Sequence, residues 1–438
     1  VRKLTLASLL SATMLVSAAP THAADVKLFR FFGDCAGDYG SVTDVSKANG
    51  ECGIIQALTN KFNAENKIGA KVVTQTVDWN AYYDLLSATY TTGNIPDVAI
   101  MHRSILPNFV KRDLLTPLKG PLTKAGVDFA DYVPAAADAV TVGDEAYAMP
   151  FDIHALLVHV NVDLMKKAGL VDAAGDPILP KSAAELIEQG KKFKEATGKT
   201  YIGMESDSKA AMTVRVFNSL VWQQGSDLIA PDGKKATLDT EAGSKAASLV
   251  DEMYKAGLVN KEQDYAGSEQ AFLNGDTGLL FNGTWGVDNY DSQAKGGKAG
   301  LKSYKVANFP NLFGTPAAWS DSHLWTVPAN PERKPEVEEA AVAFLKFLND
   351  NNFQWARTGH LSVRKSVIAS EEFKKLPHRS EYAETATIAH AFPAVQNQRA
   401  IQDVMITELT SMWLAGRTPG EALTSEQQRV DQILRRNR

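Results

Sequence analysis

The sequence has little cysteine: only Cys35 and Cys52 among 438 residues. That excludes a disulfide-dense scaffold and a cysteine-built metal centre. No histidine or third cysteine stands at ligand spacing either, so the sequence predicts no metal and no other cofactor. Beyond the N-terminus, no run of about 18 apolar residues occurs, so nothing later reads as a membrane span. Positive charge is not in excess. Lys and Arg number 46 against 51 Asp and Glu, for a net charge of −5. Nucleic acid and anionic membrane surfaces are therefore poor partners. Internal repeats and low-complexity tracts are missing. So are the G-x-S-x-G elbow, the H-E-x-x-H helix and the calcium-binding loop. Glu195–Thr200, EATGKT, ends like a phosphate loop, but Phe193 stands where that loop needs glycine. The segment also follows a helix rather than a strand, and Gly198 reads as the helix cap. No catalytic residue is assigned and the chain reads as a non-enzyme. One catalytic arrangement stays open, the facing carboxylates of a carbohydrate hydrolase, because only folding brings them together.

What is present begins with Arg2 and Lys3 ahead of the apolar run Leu4–Ala19. Thr21-His22-Ala23 follows, with small residues at the −3 and −1 positions of a cleavage site. Residues 1–23 read as a cleavable signal peptide. No cysteine stands at the cleavage site, so no lipid anchor is expected, and the mature chain is placed in a periplasm. In that oxidising compartment Cys35 and Cys52 read as a disulfide, contributing about 3 kcal/mol by closing a short loop. Two free thiols and a redox pair are the alternatives. The chain length suggests two or three domains.

Strand patterns at Asp25–Phe32, Lys71–Val77 and Asp97–Met101 alternate with helical ones. The first helix carries the stripe Ile54, Ile55, Leu58 and Phe62, and the second spans Trp79–Thr92. This alternation predicts an α/β unit with a largely parallel sheet. Ser182-Ala183-Ala184-Glu185 is a capping box opening a later helix. Phe217–Gly225 and Ser244–Gly257 read as helices too. Pro335 opens a helix with the stripe Val337, Ala341, Phe344, Leu345 and Leu348. Two segments are more informative. In Glu269–Trp285, EQAFLNGDTGLLFNGTW, a helix closes at Gly275 and Thr277–Phe281 forms a strand. Asn282-Gly283 then turns the chain and delivers Trp285 past the strand's carboxyl end. In Tyr147–Gly169, an apolar strand at Ala155–Val160 runs into a helix opened by Asn161 and Asp163.

Both segments resemble the family 1 extracellular solute-binding proteins, the sugar-capturing subunits of ATP-binding-cassette importers of the maltose-binding-protein type. The resemblance covers nearly all of the mature chain. It implies an α/β fold of two lobes, with several interlobe crossovers and a ligand cleft between the lobes. It places residues 24–152 plus 315–361 in the N-terminal lobe, and 153–313 plus 365–438 in the C-terminal lobe. Gly359–Val367 corresponds to a third crossing, with Ser362 where the family usually has proline. The implied function is reversible capture of a sugar, oligosaccharide or polyol and delivery to the permease subunits. A phosphorylated, sulfonated or uronic sugar or glycerol derivative is the alternative. Polyamines are set aside because cations need a carboxylate-lined box. A chemoreceptor is a possible second partner, and a monomer is expected.

By the same resemblance, His102, Arg103 and Ser104 contact ligand from the loop after the third strand. The first crossover supplies Asp152 and His154. The remaining candidates are Trp285, then Trp319, Asp321 and His323 from a turn, and Arg364 from the third crossing. Trp79 joins them because it follows a strand end. The chemistry suits a sugar, whose CH faces stack on aromatic rings and whose hydroxyls bond charged groups. Asp152 is the strongest polar candidate, since a carboxylate can accept two hydroxyls. Plain alternatives stand beside these roles. Trp285 can belong to a core. Trp79 and Trp319 can pack a lobe face. His154 can be a hydrogen-bonded core histidine, and Arg103 can pair with a carboxylate. His159, inside an apolar strand, reads as structural.

Overall fold

The computed structural model describes residues 24–297 and 300–436. The proposed signal peptide lies outside the described residues. In chain order the strands are β1 (Asp25–Arg30), β2 (Lys71–Thr76), β3 (Val98–His102), β4 (Thr141–Val142), β5 (Glu145–Ala146), β6 (Met149–Pro150), β7 (His154–Asn161), β8 (Thr200–Gly203), β9 (Thr277–Gly283), β10 (Tyr304–Asn308), β11 (Ala318–Asp321), β12 (His323–Thr326) and β13 (Ala389–Ala391). They form two main sheets and a small β4–β5 ribbon. The first sheet runs β2-β1-β3-β12-β6, parallel among its first three strands and antiparallel at β12 and β6. The second runs β13-β11-β7-β9-β8, with β10 also on β7. Each sheet is covered by helices and has its own core. One core gathers Val26, Leu58, Ile100, Trp325 and Phe344, and the other gathers Leu156, Phe217, Leu279, Leu409 and Val430. This is the two-lobe α/β architecture that the sequence implied.

Local chemistry sets the element ends. β1 stops at Arg30, short of the expected Phe32, because Phe32 and Gly33 both take positive φ, 40° and 78°. The Ile54–Phe62 stripe is buried on helix Gly50–Glu65. Ser182 caps helix Ala183–Thr197 by accepting from the Glu185 N–H, and Gly198 closes it at φ 69°. One expectation fails. Asn282 and Gly283 do not turn the chain; they are the last residues of β9, paired with Leu157 and Leu156. The turn comes next, as the short helix Thr284–Gly286.

Three crossovers join the lobes. β6 passes to β7 through residues 151–153. β11 of the second sheet passes to β12 of the first through Ser322 alone. The third pairs Leu361 with Ile153 and Arg364 with Tyr132. The second crossing lies further along than expected: Ala317, Ala318 and Trp319, placed with the N-terminal lobe by the sequence, pack in the second core. They do so because β11 pairs with β7 and β13. Cys35 and Cys52 form a disulfide that ties the loop after β1 to the first helix.

The C-terminal helices contain a destabilising group. Glu426 is fully buried, and neither carboxylate oxygen has a hydrogen-bond partner. Burial, with Glu408 nearby, pushes its pKa well above 4.5. The folded chain therefore keeps this proton while the unfolded chain releases it as pH rises past 4.5. The group's contribution to stability is complete below that value and is lost as pH climbs through the raised folded pKa. Glu426→Met should raise stability by about 1–3 kcal/mol, since it removes an unpaired buried polar group. Denaturation should show a larger gain near neutral pH than in acid; an equal gain at both would mean Glu426 is not titrating between the states.

Candidate ligand-binding site

A cavity of about 750 Å³ opens between the two sheets. In open α/β sheets, ligands sit off the carboxyl ends of strands, and this cavity is lined in that way. Phe31, Phe32, Gly33 and Asp34 follow β1, Thr76 ends β2 with Val77, Asp78, Trp79 and Asn80 after it, and His102 ends β3. β12 is antiparallel to β3, so its first residue, His323, lies opposite His102. β7 is antiparallel to β9, which brings its first residue, His154, near Trp285. Glu205, Asp207, Lys209, Ala211, Arg215, Asp264, Tyr265 and Ala266 complete the second-lobe wall, and Glu51 lines the first.

Trp285 is a partly exposed platform. Its indole N–H donates to the Tyr265 hydroxyl at 2.6 Å. Tyr265 is bound in turn to Glu269 and Asn282. The ring lies over Gly283, where an added Cβ would come within 2.0 Å of it. Gly283→Ala should therefore tilt the platform and weaken solute binding by more than about 1 kcal/mol, the scale of a lost aromatic contact. Calorimetry with an unchanged dissociation constant would show that the solute does not use the ring.

Three imidazoles form the floor, with ring centroids 4.3–5.6 Å apart. Their hydrogen bonds assign different roles. The Tyr83 hydroxyl accepts from the His102 backbone N–H at 2.8 Å and bonds His102 Nδ1 at 2.5 Å. With the hydroxyl as donor in that second bond, His102 carries its proton on Nε2. His154 donates from Nδ1 to Asp152 at 3.1 Å, leaving Nε2 as an acceptor. Burial pulls the His102 pKa well below 6.5 and that of His154 to about 3, so both are neutral at neutral pH. Burial also works against a charged His323. Attraction to Asp152, which accepts its Nδ1–H at 2.7 Å, outweighs that and raises its pKa.

Arg215 is the main cation of the wall. Its guanidinium lies 4.4 Å over Trp319 and 5.4 Å from Trp285. Its Nε is buried without a hydrogen-bond partner, and Glu205 acts on it only through charge. Lys209 is the other cation, against six carboxylates: Asp34, Glu51, Asp78, Glu205, Asp207 and Asp264. The carboxylate-lined box that the sequence did not reveal is therefore present.

Of the residues inferred from sequence, the structure brings Trp79, His102, His154, Trp285 and His323 to the cavity wall. The others lie elsewhere. Asp152 is fully buried beneath the floor, and its oxygens accept from His154 Nδ1, His323 N, His323 Nδ1 and Trp355 Nε1. Four donors saturate it, so no lone pair is left for a solute. Asp321 caps the backbone N–H groups of Ser104 and Ser322, and the Arg103 N–H bonds Ser322. These contacts shape the second crossing. Trp319 is buried behind Arg215 and lines a separate small cavity with it. Arg364 pairs with Asp131 at 2.8 Å and bonds the Asn349 carbonyl, which removes it from the cleft.

Arg215, Glu205, Asp264 and Tyr265 were not inferred from sequence. One signal was available for Arg215: it is the single charge in the otherwise apolar or small-polar helix Ala211–Trp222.

The model of a family of bacterial extracellular solute-binding proteins matches residues 57–381. The sn-glycerol-3-phosphate-binding periplasmic protein UgpB of Escherichia coli (strain K12) is 24% identical over 414 residues, covering 87% of this chain and 89% of that protein. The GacH receptor of Streptomyces glaucescens, solved unliganded and with acarbose, superposes with a TM-score of 0.78 at 20% identity, covering 95% of this chain and 99% of that one. UgpB of Mycobacterium tuberculosis, solved with glycerophosphocholine, gives a TM-score of 0.74 at 20% identity, covering 87% and 95%.

Proposed function

The chain belongs to the bacterial extracellular solute-binding protein family, and from that premise we propose that it captures an anionic sugar or glycerol derivative for an ABC importer. The lobes close on the solute at the cleft and present it to the permease, where ATP is hydrolysed by another subunit. The observation that carries the anionic reading is Arg215, a half-buried guanidinium lying over Trp319 and beside Trp285, which lines the cleft without a carboxylate partner. A phosphate, sulfonate or carboxylate takes such a planar donor array bidentately. His102 and His323 add ring nitrogens on the floor that can donate to the anion. The surrounding carboxylates and the His154 Nε2 lone pair accept solute hydroxyls. The protein works as a periplasmic monomer and performs no chemistry on its solute.

The six carboxylates favour a second reading, in which the solute also carries a cationic end. The glycerophosphocholine of the mycobacterial relative has that charge pattern. The test is calorimetric titration of ligand-stripped protein with four probes: maltose, sn-glycerol 3-phosphate, a sulfonated hexose and glycerophosphocholine. Binding confined to sn-glycerol 3-phosphate and the sulfonated hexose supports the main reading, and binding confined to the zwitterion supports the second. Binding of maltose alone overturns both. Hydrolysis of an aryl-glycoside by the same sample would move the chain to the hydrolases.

A further inference from the structure

Beneath the cleft floor, the three crossovers meet at a second cluster. Asp152 and His154 come from the first, His323 from the second and His360 from the third. One donor atom of each lies within 4.8 Å of all the others, and all four residues are buried. His360 is the anomaly. The Thr358 hydroxyl donates to the Trp355 carbonyl at 2.7 Å, so at 2.6 Å it must accept the Nδ1–H of His360. The neutral ring then has a bare Nε2. That atom is fully buried and has no hydrogen-bond partner. Its polar neighbours are Glu51 Oε1 at 3.3 Å and Asp152 Oδ2 at 3.6 Å, both acceptors. A lone pair facing two carboxylate oxygens in a buried place calls for a cation there, either a second proton on Nε2 or a metal ion.

We infer that this cluster binds one divalent transition-metal ion through His360 Nε2, Asp152 Oδ2 and His323 Nδ1, the ion displacing to solvent the proton by which His323 Nδ1 otherwise bonds Asp152, with Glu51, 3.3 Å from His360 Nε2, as the fourth donor. The spacing fits. A tetrahedral ion with nitrogen and oxygen donors at about 2.0–2.1 Å sets those donors about 3.3–3.4 Å apart, close to the two His360 distances. The donor types fit as well. Imidazole with carboxylate selects zinc, nickel, cobalt or copper over magnesium and calcium. Partners that orient such ligands are in place, Thr358 behind His360 and Trp355 behind Asp152. Glu51 also lines the cleft, so an ion here sits at its floor and joins all three crossovers. This site is independent of the solute's identity.

The test uses tag-free mature protein, refolded from chelator and dialysed against cobalt(II) or zinc(II), with metal counted by elemental analysis. One equivalent is expected, with cobalt(II) showing visible bands of tetrahedral type. Glu51→Gln changes a side chain that is 23% exposed, so the fold is not at risk. It should weaken uptake at least tenfold, and His360→Gln should do the same. Thr358→Val should weaken it about 10–100-fold through the lost orienting bond. No stoichiometric uptake, or uptake indifferent to Glu51→Gln and His360→Gln, overturns the inference and leaves a proton on His360 as the cation. Solute titration of the metal-free protein is read separately: solute binding without ion uptake sinks this site alone.

Discussion

Asp152→Asn is expected to destabilise the protein by about 3–5 kcal/mol, the usual loss when one partner of a buried charged network is removed. The carboxylate accepts from His154, twice from His323 and from Trp355. Burial alone would raise its pKa, but the His323 and His360 imidazoles and the hydrogen bonds hold it well below 3.8, so it is ionised in the folded state. An asparagine side chain keeps the shape and puts an N–H₂ group against one pair of donors. Two buried donors then lose their acceptor, and His323 loses the charge that favours its protonation. Equilibrium denaturation measures this directly. A change below about 1 kcal/mol, the scale of one ordinary hydrogen bond, would show that the crossovers are held by packing rather than by this carboxylate.

Arg215→Met should leave the fold about as stable, since it removes a half-buried guanidinium whose buried Nε has no hydrogen-bond partner and puts an apolar side chain of similar length in its place. It should weaken the anionic solute by about 2–5 kcal/mol, roughly 30-fold to several thousand-fold in dissociation constant. Arg215→Lys should recover only part of that, because an ammonium cannot stack on Trp319 or donate bidentately. Neutral sugars give the control. If they lose affinity as much as the anion does, the substitution has collapsed the wall around Trp285, and the anion-clamp role is wrong.

The sequence carried some layers of this structure and not others. Helix ends read well because a few residues with local conformational demands set them, as Gly275 at φ 74° and Ser182 at its cap do. Trp285 and Trp79 were legible because each follows a strand end, and His102, His154 and His323 through the family resemblance; topology turns all these strand ends toward one cavity. Arg215 is different. It faces the cleft because of the rotation of a helix within the second core, and an apolar helix does not disclose which side its one charge leaves by. Asp152 shows the opposite error. A carboxylate at a lobe junction looks available until its lone pairs are assigned, and the four donors come from residues up to 203 positions away. Arg364 fails for the same reason, through Asp131, 233 positions away.

β11 and β12 belong to different sheets and are joined by Ser322 alone. Two residue steps of chain span about 7 Å at most, so the lobes are tethered there as at a fulcrum. Any swing of one lobe then grows with distance from that point. His323 is next to the fulcrum and His154 is paired across from Asp321, so the floor moves least while the outer walls travel furthest. An arriving solute meets the same floor whether the cleft is wide or narrow. Under the proposed function, the imidazoles offer a solute one fixed geometry, and the far walls add their contacts as the cleft narrows.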